Sequence, residues 1–391
     1  MEIVANLFAG RTNWNLTPNR LSEALARHRS AGKPLIDLIA SNPSECGFTY
    51  NREKILSALA NPQSLTYQPE PKGLLAARDA VAGYYADRSD RVASSDMILT
   101  TSTSEAYSFV FRALCNPGDE VLIPTPSYPL FDLLADIQDV RLIRYPLVYD
   151  HGWQIEFHAL EAALSTRTRA IIAVHPNNPT GHFTKANERS RLNQICADRQ
   201  IAMMADEVFL DFSLSAKPQS SCATNSEALT FTLSGLSKMC GLPQMKAAWL
   251  ITSGPGDLKT QALDRIEVIA DTYLSMNAPI QRAIPIFLEQ RHEFQREVTS
   301  RIRENLAELD RQLATQKTCS RLAIEGGWYA TLRVPATRTD EEVALDLLDK
   351  KNVYVYPGHF YDFPADGYLI VSLIAPEQEF AEGIKRLISI C

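Results

Sequence analysis

Short, uninterrupted apolar runs alternate with stretches of three-and-four apolar spacing through the first two thirds of the chain. The runs at Asp96–Thr101, Glu120–Pro124, Val140–Tyr145, Ala170–Val174, Ala202–Ala205 and Thr230–Leu233 predict strands. Strands apolar on both faces belong inside a sheet covered on both sides. Between them, Ser104–Leu114, Pro129–Ile137 and Asn187–Arg199 predict helices, the first closed by the turn formers Asn116-Pro117-Gly118-Asp119. This alternation predicts an α/β fold with a doubly wound, mostly parallel sheet.

Beyond about residue 260 the texture changes. Two long helical stretches are expected, Leu258–Gln290 with a break near Asn277-Ala278-Pro279, and His292–Gln316. Strand-like Trp328–Val334, Val353–Tyr356 and Tyr368–Leu373 then mix with helical Asp340–Lys350 and Glu377–Ile390, the pattern of a smaller α+β domain. Near the N-terminus Ser22–Ser30 reads as helical and Leu35–Ile39 as extended. The expected division is an N-terminal segment, residues 1–45, packing with the small domain; a large domain, 46–275; and a small C-terminal domain, 276–391. A length of 391 residues suits such a division.

Charge and cysteine usage narrow the classes. The 39 basic and 46 acidic side chains leave a net charge of −7 with no block of like charge, which argues against nucleic acid and anionic membrane as partners. No apolar run approaches the roughly 18 residues of a membrane span. The seven cysteines are scattered without a C-x-x-C pair, so neither a metal site nor a disulfide framework is indicated. Free thiols suit a reducing cytoplasm. Met1-Glu2-Ile3-Val4 lacks the basic and apolar regions of a secretory signal.

Candidate chemistry sits at the strand ends, where open α/β sheets bind ligands. Thr101-Ser102-Thr103-Ser104 ends the first strand and opens a helix, whose free N–H groups and dipole suit a phosphate; taken alone, the same residues read as an ordinary cap. Asn177-Asn178-Pro179-Thr180-Gly181 is first of all a turn. Asp206-Glu207 ends an apolar strand, where a carboxylate requires a partner such as a protonated ring nitrogen, or a structural ion pair. Ser234-Gly235-Leu236-Ser237-Lys238 offers a lysine in a strand-end turn, a candidate Schiff-base amine, and Lys246 eight residues on is a candidate phosphate cation. A single such lysine is more often a solvated surface residue; the four elements in this order are not a chance assembly.

Together, Pro117-Gly118-Asp119-Glu120, Pro126-Ser127-Tyr128-Pro129, Pro176–Gly181 (PNNPTG), Asp206-Glu207-Val208-Phe209 and Ser237-Lys238 resemble the class I/II, fold-type I aminotransferases, from about Tyr67 to the end of the chain. The resemblance implies pyridoxal 5′-phosphate as cofactor. It implies that Lys238 carries the cofactor as a Schiff base and moves the proton during transfer. Asp206 would pair with the pyridinium nitrogen and keep the ring an electron sink. By the same likeness Asn178 bonds the 3-oxygen, Tyr128 stacks on the ring, and Ser102, Thr103 and Ser104 cradle the phosphate. Tyr67 matches a tyrosine that reaches the phosphate of a neighbouring subunit, which implies a homodimer with shared active sites. Asn42-Pro43 matches a segment that lines the substrate pocket.

Three positions depart from the family pattern. Phe209 stands where a tyrosine usually bonds the 3-oxygen, so Asn178 alone sets the Schiff-base acidity and a higher pKa is expected. Lys246 replaces an arginine and loses its bidentate fork. In Tyr368-Leu369-Ile370-Val371-Ser372, Ile370 replaces the arginine that forks the substrate α-carboxylate. Arg11, Lys185 and His359 are the candidate substitutes; Trp14 and Tyr361 are candidates for an apolar pocket wall, with core packing the alternative. The expected function is transfer of an amino group between an amino acid or amine and a keto compound. A pyridoxal-phosphate lyase or decarboxylase is the alternative left open by Ile370. A DNA-binding regulator is disfavoured, because residues 1–45 are too short and insufficiently basic for a winged helix.

Overall fold

The computed structural model describes residues 7–390. Its centre is an eight-stranded sheet in the spatial order Met97–Thr100, Ala248–Ser253, Thr230–Gly235, Ala202–Asp206, Thr168–Val174, Glu120–Thr125, Arg141–Tyr149 and Trp153–Ile155. The five strands from Thr230–Gly235 to Arg141–Tyr149 run parallel. Successive side chains leave opposite faces of each strand. Ala170, Ile172 and Val174 enter the core beneath the helices Thr103–Leu114 and Gly256–Thr272, while Ile171 and Ala173 enter the core on the other face. That double burial is why the run reads as wholly apolar.

Two strands of this sheet escape the sequence reading. Ala248–Ser253 is fully buried and antiparallel to both its neighbours, and Trp153–Ile155 forms an edge antiparallel to Arg141–Tyr149. Gly235 permits the first of these to close on the strand Thr230–Gly235: a Cβ there would stand 2.8 Å from the Ala248 Cβ.

The expected break between residues 290 and 292 is absent. One helix, Ala278–Leu313, runs 36 residues and is capped by Asn277, whose Oδ1 accepts from Ile280 N at 3.1 Å. Arg291 looks polar in sequence but lies buried on the core face with Phe287, Leu288 and Phe294, its guanidinium over the Tyr84 ring and paired with Asp87.

A four-stranded antiparallel sheet holds Ser320–Arg321, Tyr329–Arg333, Tyr368–Ser372 and Tyr356–Pro357. Ile36–Asp37 pairs in parallel with Val353–Tyr354, and the helix Arg20–Ser30 packs on Asp340–Lys351, so the N-terminal segment is stitched to the C-terminal part. No helix among the described residues is long and apolar enough to cross a membrane.

Candidate active site

The carboxyl edge of the large sheet and one face of the small sheet enclose a cavity of about 420 Å³. Among the residues singled out in the sequence, Ser102, Thr103, Ser104, Tyr128, Asn178, Asp206 and Lys238, expected to hold the cofactor, line it.

Asp206 closes the strand Ala202–Asp206, level with Leu233 on one neighbour and Val174 on the other. Its Oδ2 accepts from the Tyr107 hydroxyl at 3.0 Å and its Oδ1 from Val208 N at 3.1 Å. Burial pushes its pKa up to about 6, and those two hydrogen bonds hold it from rising further. Glu207 points to the opposite face, bonded by Ser221 Oγ and Cys222 N, each at 2.6 Å. Within the Asp-Glu pair, then, one carboxylate serves the cavity and the other ties down a loop.

Lys238 follows the adjacent strand in the short helix Leu236–Met239. Its Nζ lies 5.0 Å from the Trp328 ring centre and 5.6 Å from that of Phe209. Burial among these rings disfavours the ammonium and brings its pKa down to about 8. A nucleophilic amine needs that shift, since only the neutral form attacks a carbonyl.

The helix Thr103–Leu114 starts at the same edge. Ser102 Oγ accepts from Glu105 N at 3.1 Å, and the Glu105 carboxylate reaches back to Thr101 N at 2.6 Å. The cap satisfies those two donors and leaves the N–H groups of Thr103 and Ser104 for an anion. In the turn after Thr168–Val174 the two asparagines divide their tasks. Asn177 Oδ1 accepts from Thr180 N at 3.3 Å and Thr180 Oγ1 at 2.8 Å. Asn178 lines the cavity, and its buried Oδ1 has no partner among the described residues.

Comparison with known proteins agrees with this geometry. The sequence profile described as aminotransferase class I and II matches residues 14–387. The chain belongs to the class I and II aminotransferases. It is 27% identical over 374 residues to alanine aminotransferase of Mycobacterium tuberculosis (strain H37Rv), covering 93% of this chain and 86% of that one. It is 26% identical to glutamate-pyruvate aminotransferase of Escherichia coli (strain K12), covering 89% and 88%. In fold it is similar to alanine aminotransferase from Pyrococcus furiosus, with a TM-score of 0.88 at 21% identity over 98% of this chain and 99% of that chain. This aminotransferase is a fold-type I, pyridoxal-phosphate-dependent transaminase that moves an amino group between an amino compound and a keto compound. The family assignment gives the lyase alternative no support.

The cavity fits that cofactor. A buried carboxylate with no cation on it among the described residues awaits a protonated ring nitrogen, an orphaned amide faces the space, a helix N-terminus offers donors to a phosphate, and an amine that burial makes easier to deprotonate lines the same cavity. The pyridine ring of pyridoxal 5′-phosphate supplies the electron sink for proton loss at the amino-bearing carbon.

Other expectations land elsewhere. Lys246 is exposed, in a left-handed turn at φ +50°, and does not line the cavity. The turn that carries it, Pro243–Met245, presents Pro243 to the cavity instead. Tyr67 is 78% exposed and outside this chain's own cavity. Asn42 is committed to a local turn with Ser44, and Ser41 and Ile39 line the cavity in its stead. Arg11 is paired with Asp139 and Lys185 with Glu325, while His359 is exposed against Phe360. None of the three reaches the cavity, so none replaces the missing arginine from within this chain. Trp14 bonds Asp136 at 2.9 Å outside the cavity, whereas Tyr361 lines it.

Sequence reasoning missed Tyr107, Tyr329 and Tyr356, all of which line the cavity; Ser237, which enters the sequence reading only as part of the lysine motif, lines it too. For Tyr107 a signal existed: it lies four residues after Thr103, one helical turn on and hence on the same face.

Proposed function

We propose that Lys238 forms the Schiff base with pyridoxal 5′-phosphate, that Asp206 binds the ring nitrogen, and that Asn178 bonds the 3-oxygen. Tyr128, on the rim at 44% exposure, covers the ring face. Ser102, Thr103 and Ser104 hold the phosphate, and Lys246 contributes charge from outside the wall. The single observation that supports this most is that one cavity holds both the Asp206 carboxylate, at the end of one strand, and the Lys238 amine, on the short helix that follows its parallel neighbour.

Tyr67 is offered to a neighbouring copy. It lies with exposed Leu65 on a surface stretch, and a large exposed aromatic beside an aliphatic suits a homodimer contact. The same reading keeps the division at residues 1–45, 46–275 and 276–391 and a cytoplasmic location. The relatives' names suggest amino acid donors and keto acid acceptors. The substrate end of this cavity, though, is walled by Tyr329, Tyr356 and Tyr361 and carries no cation but Lys238 among the described residues.

The test is spectroscopic. Purified protein given pyridoxal 5′-phosphate is expected to show a band near the visible edge that Lys238→Ala abolishes. Addition of an amino donor removes the band, and a keto acid restores it. A band that survives Lys238→Ala, or removal accompanied by carbon dioxide release, overturns the assignment.

A further inference from the structure

Phe209 removes a phenol from the place where the family pattern has one, and a different phenol, Tyr107, lines the same cavity. We infer that Tyr107 is a positioning residue for the cofactor: its hydroxyl aims the Asp206 carboxylate at the ring nitrogen and keeps that carboxylate ionised. The inference rests on Asp206 being the ring-nitrogen partner.

The geometry is specific. Tyr107 is 2% exposed. Its ring is wedged edge-on against Phe131, centres 5.2 Å apart, and against Phe111 at 6.0 Å, so the hydroxyl has one direction to point. That direction ends on Asp206 Oδ2 at 3.0 Å, while Val208 N takes Oδ1 at 3.1 Å. Gripped at both oxygens, the carboxylate cannot swing, and its remaining lone pairs face the cavity.

The phenol acts as donor only. Burial, and then the neighbouring Asp206 charge, raise its own pKa well above the ordinary tyrosine value. No other side chain donates to Asp206 among the described residues. Lys238, on the adjacent element, faces the rings of Phe209 and Trp328. Glu207 is turned to Ser221, and the His175 ring to the Ser220 carbonyl at 3.3 Å. Without the phenol, a fully desolvated carboxylate would keep one amide donor and would take up a proton near neutrality. A protonated Asp206 has no charge to offer a pyridinium.

The experiment measures the dissociation constant of pyridoxal 5′-phosphate against pH, by fluorescence quenching of the cofactor-free full-length protein. Wild type, Tyr107→Phe, Asp206→Asn and the double variant are compared, with melting temperature as a check on folding. In wild type the affinity should fall as pH drops through about 6, where Asp206 gains its proton. In Tyr107→Phe that limb should move up by about one pH unit, so binding is roughly threefold weaker near pH 6.5, approaches tenfold weaker by about pH 5, and converges with wild type near pH 8.5. In the Asp206→Asn background, Tyr107→Phe should change nothing.

Superimposable profiles, a weakening equal at every pH, or a shift that persists in the Asp206→Asn background each overturn the role of Tyr107. If Asp206→Asn itself leaves the profile unchanged, the ring-nitrogen assignment fails instead. Should Tyr107→Phe not fold, 3,5-difluorotyrosine at position 107 keeps the volume and donates more strongly. The limb should then move to lower pH, and an unmoved limb overturns the inference.

Discussion

Ile370 and Tyr356 stand opposite one another in register across two antiparallel strands, so both side chains leave the same face of the small sheet. Thr331 flanks Ile370 on the other side, and Tyr329, two residues earlier, shares that face. Tyr329 and Tyr356 line the cavity, and Ile370 is fully buried beside them. Position 370 thus faces the cavity side of the sheet but lies beneath phenols.

Ile370→Arg will therefore not simply restore a carboxylate anchor. A guanidinium at a fully buried site with no acidic partner leaves an uncompensated charge, which destabilises by about 3–5 kcal/mol. Thermal unfolding of the cofactor-free protein should show a melting temperature lower by at least about 5 °C. A variant that melts with wild type would mean the site has room and a counter-charge that this packing lacks.

The two adjacent asparagines should separate stability from cofactor binding. Asn177→Ala removes the acceptor for Thr180 N and Oγ1 inside a buried turn, and a loss of about 1–3 kcal/mol is expected. Asn178→Ala removes a side chain whose Oδ1 has no partner among the described residues, so stability should change little; it also removes the Nδ2 donor to the cofactor 3-oxygen, so cofactor affinity should fall by about tenfold, the value of one hydrogen bond to a charged oxygen. Chemical denaturation and cofactor titration on both variants check this; equal effects on both quantities would contradict it.

Much of the site is legible in the sequence because its chemistry sits at strand ends. Asp206, Lys238, Asn178 and Ser102 each interrupt or follow an apolar run, and a polar residue there needs a reason that sequence alone makes visible. Tyr107, Tyr329 and Tyr356 carry no such flag. An aromatic residue at a buried spacing looks the same whether it packs in a core or walls a cavity, and the difference depends on register between segments that lie apart in sequence. The helix Ala278–Leu313 reads as two because a charged residue marks a break unless its partners are known. Arg291 finds them in Asp87 and Tyr84, far away in sequence. The strand Ala248–Ser253 follows a polar turn that masks its start, although its own residues suit a buried strand.

Asp206 should cost the cofactor-free protein stability. Its folded pKa, about 6, lies above the unfolded value near 3.8. The native state therefore binds more protons between those values, and this group's contribution declines as pH rises from about 4 to 6 and stays low above. Asp206→Asn should stabilise the cofactor-free protein at pH 7–8 by on the order of 3 kcal/mol, the difference vanishing below about pH 4. With cofactor present the order should reverse, because the ring nitrogen loses its counter-charge. Melting curves with and without pyridoxal 5′-phosphate across that range decide the matter.

Lys238 runs the opposite way with pH. Its folded pKa, about 8, lies below the usual 10.5 because burial disfavours the ammonium. Below pH 8 the amine is protonated in both states and carries its full desolvation cost. Between about 8 and 10.5 the unfolded chain holds the extra proton, so this group's contribution to stability rises with pH. Lys238→Met should accordingly raise the melting temperature of the cofactor-free protein at pH 7 and lose that advantage by about pH 10. The same titration governs cofactor capture, since the attacking species is the neutral amine. The rate at which the visible band forms on mixing should climb with pH and level off above about 8, in step with the stability profile. If capture instead keeps rising towards about pH 10, the amine sits in a wetter environment than the rings of Phe209 and Trp328 provide.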